Sequence, residues 1–114
     1  MKILVTGGTG YIGSHTSVEL IKAGYSIEIL DDLDNSKESV LDDIKKITGV
    51  KPAFHKVDLK DYQKTLEVFA ENNFDAVIHF AGLKAVGESV EKPLEYYENN
   101  IYGTINLLKA MRET

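Results

Sequence analysis

The sequence predicts an α/β fold, a parallel sheet with helices on both faces, and two observations predict it. Short, nearly continuous apolar runs alternate with longer segments whose apolar residues recur at helical spacing. Glycines and acids punctuate the changes from one kind of segment to the other, as turns and helix ends require. The resulting order is β-α-β-α-β-α-β-α.

Each element has its own signature. Ile3-Leu4-Val5 is a buried-strand run that stops at Gly7. Tyr11 to Ala23 reads as a helix, with Gly24 as its C′ residue. Ser26 to Leu30 is a second strand, and Asp31 to Ser36 is polar and turn-like. Lys37 to Thr48 carries Val40, Leu41, Ile44 and Ile47 as an apolar stripe, and Gly49 ends it. Pro52 to Val57 is a third strand run. Asp61 is placed to cap a helix bearing Tyr62, Leu66 and Phe69 on one face. Ala76 to Phe80 is a fourth strand run. Pro93 to Arg112 is the last helix, with proline in its first turn, Glu95 early, and Lys109 and Arg112 late, as the helix dipole favours.

The 114 residues suffice for one domain. Eighteen acids against 13 bases leave a formal net charge of −5, which argues against a nucleic-acid partner. There is no cysteine, hence neither a disulfide framework nor a thiolate site, and a reducing cytoplasm is the expected compartment. The opening Met1-Lys2-Ile3-Leu4-Val5-Thr6 is too short an apolar run for a signal peptide or a membrane span.

The strongest motif is Gly7-Gly8-Thr9-Gly10-Tyr11-Ile12-Gly13, directly after a strand and opening a helix. In a dinucleotide-binding turn Gly7 permits the sharp bend, Gly10 lets the backbone approach a pyrophosphate, and Gly13 lets the helix pack closely. The helix N-terminus then offers unpaired N–H groups to the phosphates. A nucleoside-triphosphate P-loop is the rival, since Gly8 and Gly13 have its spacing, but Ser14 stands where its lysine should be. Asp31 ends the second strand 18 residues after Gly13, about where the dinucleotide motif places an acid that accepts from a ribose 2′-hydroxyl. Asp32 beside it adds a second carboxylate that would repel a 2′-phosphate, and Lys37 is the sole nearby cation, so NAD is favoured over NADP. These features specify a Rossmann-type sheet, for which these four strands take the order 3-2-1-4.

The spacing Gly7-x-x-Gly10-x-x-Gly13 resembles that of the extended short-chain dehydrogenase/reductase enzymes. Three longer blocks narrow the resemblance to their UDP-glucose 4-epimerase family: Val5 through Thr16, Asn35-Ser36-Lys37, and the run from His79 through Asn99. The last holds Lys84-Ala85-Val86-Gly87-Glu88-Ser89 and Lys92-Pro93-Leu94-Glu95-Tyr96-Tyr97, which are more specific than the glycine loop. The resemblance extends over the whole chain and over the opening third of a complete epimerase. It implies that residues 1–114 are the NAD-binding part of the Rossmann domain, the catalytic and nucleotide-sugar parts following. It further implies that Tyr11 and Ile12 lie at the pyrophosphate, Asp31 at the adenosine ribose, and Asn35 and Ser36 at the adenosine end and phosphate. Asp58 and Leu59 would flank the adenine. Phe80, Ala81 and Gly82 would line the cofactor groove, with Lys84 at its phosphate-ribose region and Asn99 also in contact. Where Asp32 stands, the family usually carries asparagine.

The family interconverts UDP-glucose and UDP-galactose through a 4-keto sugar by reversible hydride transfer, with a Tyr-x-x-x-Lys pair handling the proton. None of the tyrosines here has that partner: four residues after Tyr11, Tyr25, Tyr62, Tyr96, Tyr97 and Tyr102 stand His15, Ile29, Leu66, Asn100, Ile101 and Asn106. No catalytic residue is therefore expected in the chain, and a UDP-sugar is expected only with the following part. His15, His55 and His79 lie on three elements without metal-ligand spacing and read as structural, so no metal site is expected. Two alternatives remain: an NAD-binding half-Rossmann module without catalysis, and the first part of a related nucleotide-sugar dehydratase. Self-association is expected through the apolar fourth strand, if it forms a sheet edge, or through the final helix. That helix carries Leu94, Tyr97, Ile101, Ile105, Leu108 and Met111 at spacings of three and four, and in the family it resembles one that packs across a homodimer.

Overall fold

The computed structural model describes residues 1–33, 37–81, 94, 101 and 103–114. Along these the chain runs β1 (Lys2–Thr6), α1 (Tyr11–Lys22), β2 (Ser26–Asp31), α2 (Val40–Thr48), β3 (Ala53–Lys56), α3 (Tyr62–Glu71), β4 (Ala76–His79) and α4 (Gly103–Glu113). It divides into two compact units, Met1–Lys56 with Asn73–Phe80 and Val57–Asn72 with Ala81–Thr114.

The first unit holds the whole sheet. Its four strands are parallel in the order β3-β2-β1-β4, the Rossmann-type order expected. Val5 sits between Ile29 on one side and Ile78 on the other, so β1 is paired along both edges. One face of the sheet gathers Ile3, Val5, Ile27 and Ile29, all buried, against Leu41 and Ile44 of α2. Burying each such side chain is worth roughly 1.5–3 kcal/mol relative to leaving it in water. α1 comes in close because its buried residues are small, Gly13 and Ser17. The stripe expected on α2 reaches inward only as far as Ile44; Ile47 is exposed. A step of three residues falls about 60° short of a full turn, so two steps from Leu41 carry Ile47 about 120° off the core direction.

The other face of the sheet carries a charged row. Glu28 is buried, with Lys2 Nζ at 2.5 Å from Oε2 and His55 Nε2 at 2.7 Å from Oε1. Burial opposes ionisation of Glu28, but hydrogen bonds from Lys2 and His55, aided by their charges, outweigh it and hold the carboxyl below its ordinary value of 4.5.

The helix ends follow local chemistry. After α1, Gly24 N–H donates to Ile21 O at 3.0 Å and Tyr25 N–H to Leu20 O at 3.1 Å, a Schellman pair made possible by Gly24 at φ +97°. Gly49 closes α2 in the left-handed region, donating to Lys45 O at 2.7 Å. β3 is shorter than expected, starting after Pro52, whose missing N–H suits a strand boundary.

In the second unit α3 packs on α4. Asp61 caps α3 as expected, its Oδ1 accepting from Lys64 N–H at 3.2 Å. Thr65, Val68 and Phe69 form the buried face of α3. α4 turns Gly103, Asn106, Leu107 and Ala110 inward and leaves Ile105, Leu108 and Met111 exposed. Asn106 is buried and donates through Nδ2 to Leu59 O at 2.8 Å and Lys60 O at 3.1 Å. Among the described residues no helix is long and apolar enough to cross a membrane.

Candidate functional site

The glycine loop leaves the C-terminal end of β1 and is anchored at once, since Gly7 N–H donates to Leu30 O of β2 at 2.8 Å. Gly7 takes φ +71°, a conformation that a side chain would strain. A Cβ on Gly13 would stand 2.2 Å from Gly7 O and 2.9 Å from Gly8 Cα. The close approach expected at Gly13 is thus to the backbone of the loop rather than to the strand. Gly8 has a reason of its own, not visible in the motif: a Cβ there would lie 2.7 Å from Ile29 Cγ2. Gly10 meets only Gly7 O, at 3.3 Å, so its lack of a side chain is weakly demanded by the protein itself.

α1 opens from Gly10 with no side-chain cap and no acid in its first turn. Its first N–H groups have no intrahelical acceptor, and its first turn holds no acid to offset the positive end of its dipole. Tyr11 and Ile12 stand at this end, 80% and 56% exposed. Tyr11 is braced by His15, whose Nδ1 donates to Tyr11 O at 2.7 Å and whose ring centre lies 4.5 Å from that of Tyr11. An anionic group fits here by both geometry and charge.

The end of β2 meets the same loop. Asp31 is 8% exposed, and its Oδ2 accepts from Thr9 Oγ1 at 2.5 Å and from Thr9 N–H at 3.2 Å. Its Oδ1 accepts from Leu33 N–H at 2.9 Å, closing a turn in which Leu33 takes φ +63°. Phe80, just past β4, donates its N–H to Thr6 O at 2.9 Å, and its ring packs on the sheet core. Gly7, Gly10, Tyr11, Ile12, Gly13, Asp31, Asp32 and Phe80 therefore all stand at or just past the C-terminal ends of parallel strands, where open α/β sheets bind ligands.

Other expected residues are placed differently. Asp58 and Leu59 belong to the second unit with Ala81. Asp58 serves its own turn, accepting from Lys60 N–H at 2.9 Å, with Lys60 Nζ at 3.8 Å. The Leu59 side chain is buried under Gly103 of α4, and its carbonyl accepts from Asn106 Nδ2. Asn35, Ser36, Gly82, Lys84 and Asn99 lie outside the described residues. The histidines each have a protein partner: His15 on Tyr11, His55 on Glu28, and His79 with Nδ1 2.5 Å from Thr6 Oγ1. Among the described residues no three His, Cys, Asp or Glu side chains gather as metal ligands.

A family model described as GDP-mannose 4,6 dehydratase matches residues 4–114. The UDP-glucose 4-epimerase of Klebsiella pneumoniae is 53% identical over 112 residues, covering 98% of this chain and 81% of that sequence. The chain belongs to the UDP-glucose 4-epimerase family. The Yersinia pestis UDP-glucose 4-epimerase is 59% identical over 98% of the chain, which spans 33% of that relative. The structure of the Bifidobacterium longum UDP-glucose 4-epimerase in complex with NAD+ and UDP superimposes with a TM-score of 0.96 at 50% identity, over 99% of this chain and 34% of that one. The chain thus corresponds to the N-terminal third of the Yersinia and Bifidobacterium epimerases, and the relatives' names favour an epimerase over a dehydratase within the matched model.

Proposed function

We propose that this chain is the NAD-binding N-terminal portion of a UDP-glucose 4-epimerase, acting in galactose metabolism in the cytoplasm. The uncapped start of α1, next to a buried Asp31 that is hydrogen-bonded to the glycine loop, carries the reading. The Bifidobacterium relative, half identical and in complex with NAD+, supports it. Gly10, Tyr11, Ile12 and Gly13 would present main-chain N–H groups to the pyrophosphate, and Asp31 would accept from the adenosine ribose. Asp32 adds to the negative field that discourages a 2′-phosphate. Asp58 and Leu59, with Phe80 and Ala81, would border the adenine and the groove, and Asn35, Ser36, Gly82, Lys84 and Asn99 would complete it. Bound NAD supplies the reversible hydride acceptor.

The complete protein would exchange UDP-glucose and UDP-galactose through a 4-keto sugar. Within these 114 residues no tyrosine is followed four positions later by lysine, so the chain alone binds cofactor and turns over no sugar. Calorimetric titration of NAD+ into the chain, with UDP-galactose turnover as the parallel assay, tests both halves. Saturable heat without turnover is expected; a folded sample that gives no heat refutes cofactor binding by this chain alone.

Self-association belongs to the same proposal. Ile105, Leu108 and Met111 form an exposed apolar stripe along α4, and β4 has β1 as its one neighbour in the described sheet. Sedimentation should show dimers or larger species at high concentration, and a clean monomer would remove this element.

A further inference from the structure

We propose that Thr9 is a positioning residue for recognition of the ribose 2′-hydroxyl, its hydroxyl holding the Asp31 carboxylate in the orientation that receives the ligand. The inference rests on the cofactor reading above and extends it to a residue whose side chain the dinucleotide motif leaves unassigned. Thr9 is 2% exposed, so its hydroxyl sits where water is largely excluded. At 2.5 Å from Oδ2, it makes a hydrogen bond in the short range of hydroxyls donating to a carboxylate. The main-chain N–H of the same residue donates to the same oxygen at 3.2 Å.

A carboxylate offers about four acceptor positions over its two oxygens. On Asp31, Oδ2 takes two protein donors and Oδ1 takes one, from Leu33 N–H. The remaining capacity is therefore concentrated on Oδ1, the oxygen turned away from Thr9. With both oxygens tethered, the carboxylate cannot rotate to offer Oδ2 instead. The consequence is directional: one fixed acceptor is presented for a ligand hydroxyl, and it is rigidly joined to the loop that carries Gly10, Tyr11 and Ile12. Loss of the hydroxyl would leave Oδ2 held only by the longer 3.2 Å bond from Thr9 N–H, loosen the carboxylate, and weaken discrimination at the ribose while the glycine backbone stays in place.

The test compares two ligands on three proteins. NAD+ and an NAD+ analogue with a 2′-deoxy adenosine ribose are titrated into the wild-type chain, Thr9→Val and Thr9→Ser. Thr9→Val should bind NAD+ about tenfold more weakly, the scale of one charge-assisted hydrogen bond, and the deoxy analogue as tightly as wild type does. Thr9→Ser, which keeps the hydroxyl, should stay within about twofold of wild type for both. Equal losses for the two ligands in Thr9→Val would make Thr9 a general support of the loop and overturn the proposal, as would an unchanged NAD+ affinity. If Thr9→Val does not fold, Thr9→Ala takes its place in the same comparison. A folded wild-type chain with no affinity for NAD+ overturns the underlying cofactor reading and this inference with it.

Discussion

Gly13→Ala sets two effects against each other, and their sizes decide the sign. Gly13 lies in the first turn of α1, and replacing a helical glycine by alanine ordinarily stabilises by up to about 1 kcal/mol. Here the added Cβ would meet Gly7 O at 2.2 Å and Gly7 C at 2.9 Å. Ordinary contacts begin near 3.4 Å, so α1 or the loop must give by about 1.2 Å, and both partners are backbone with no rotamer to yield. Gly7 is itself tied to Leu30 O at 2.8 Å, so movement there pulls on the sheet. Overpacking of this kind costs about 3 kcal/mol, at the upper end of its range. The net expectation is a loss of about 2 kcal/mol, equivalent to a Tm lower by roughly 10 °C in a chain of this size. Thermal unfolding by circular dichroism, with urea unfolding as a second measure, reads it directly. A Tm equal to or above wild type would mean that helix propensity wins, and the reasoning from close approach would be wrong.

The other expectations share the same assays. Gly10→Ala meets a contact of only 3.3 Å and keeps an ordinary φ of −72°, so stability should change by less than about 1 kcal/mol while NAD+ affinity falls tenfold or more; an intact affinity would refute the pyrophosphate role. Glu28→Gln should cost about 1–3 kcal/mol at pH 7, because Lys2 and His55 lose a charged partner within the sheet. The lowered Glu28 value means that its contribution is present above pH 4.5 and lost as the pH falls through the folded-state value. The variant and wild type should therefore converge in urea midpoint as the pH is taken progressively below 4.5, and a constant gap across that span would contradict the charge argument. Asp61→Ala should remove the α3 cap at a cost of about 1 kcal/mol, measured by urea midpoint at unchanged m-value.

What the sequence revealed about the fold was what is local and periodic. The loop between β1 and α1, the Gly24 and Gly49 helix ends and the Asp61 cap are each set by neighbours a few residues away, and each was legible. The strand order followed from the crossover pattern and the dinucleotide motif together. Less legible was whatever depends on a partner far along the chain. Glu28 within an apolar strand gave no hint of burial, because its partners Lys2 and His55 stand on two other strands. Asn106 looked like an ordinary helix residue, yet it closes the carbonyls of Leu59 and Lys60 across 47 and 46 positions. At the candidate site, spacing singled out Gly7, Gly13 and Asp31, whereas Gly8 against Ile29 and Thr9 on Asp31 needed the three-dimensional path of β2. Asp58 was singled out as a ligand residue, and the structure gives its side chain work in its own turn.

The place of β1 in the sheet has a consequence for how the chain acquires its structure. β1 is paired on one side by β2, 24 positions later, and on the other by β4, 73 positions later. During synthesis from the N-terminus, β1 to β3 can associate long before β4 exists, and β1 is then itself an outer strand. Leu4 and Val5, wholly buried in the finished molecule, wait there with one neighbour missing. Closing that gap requires a long loop to be drawn in, and distant pairings of this kind slow folding and prolong exposure to other chains. The interval between emergence of β1 and arrival of β4 is thus the stage at which a chaperone would matter most to this protein.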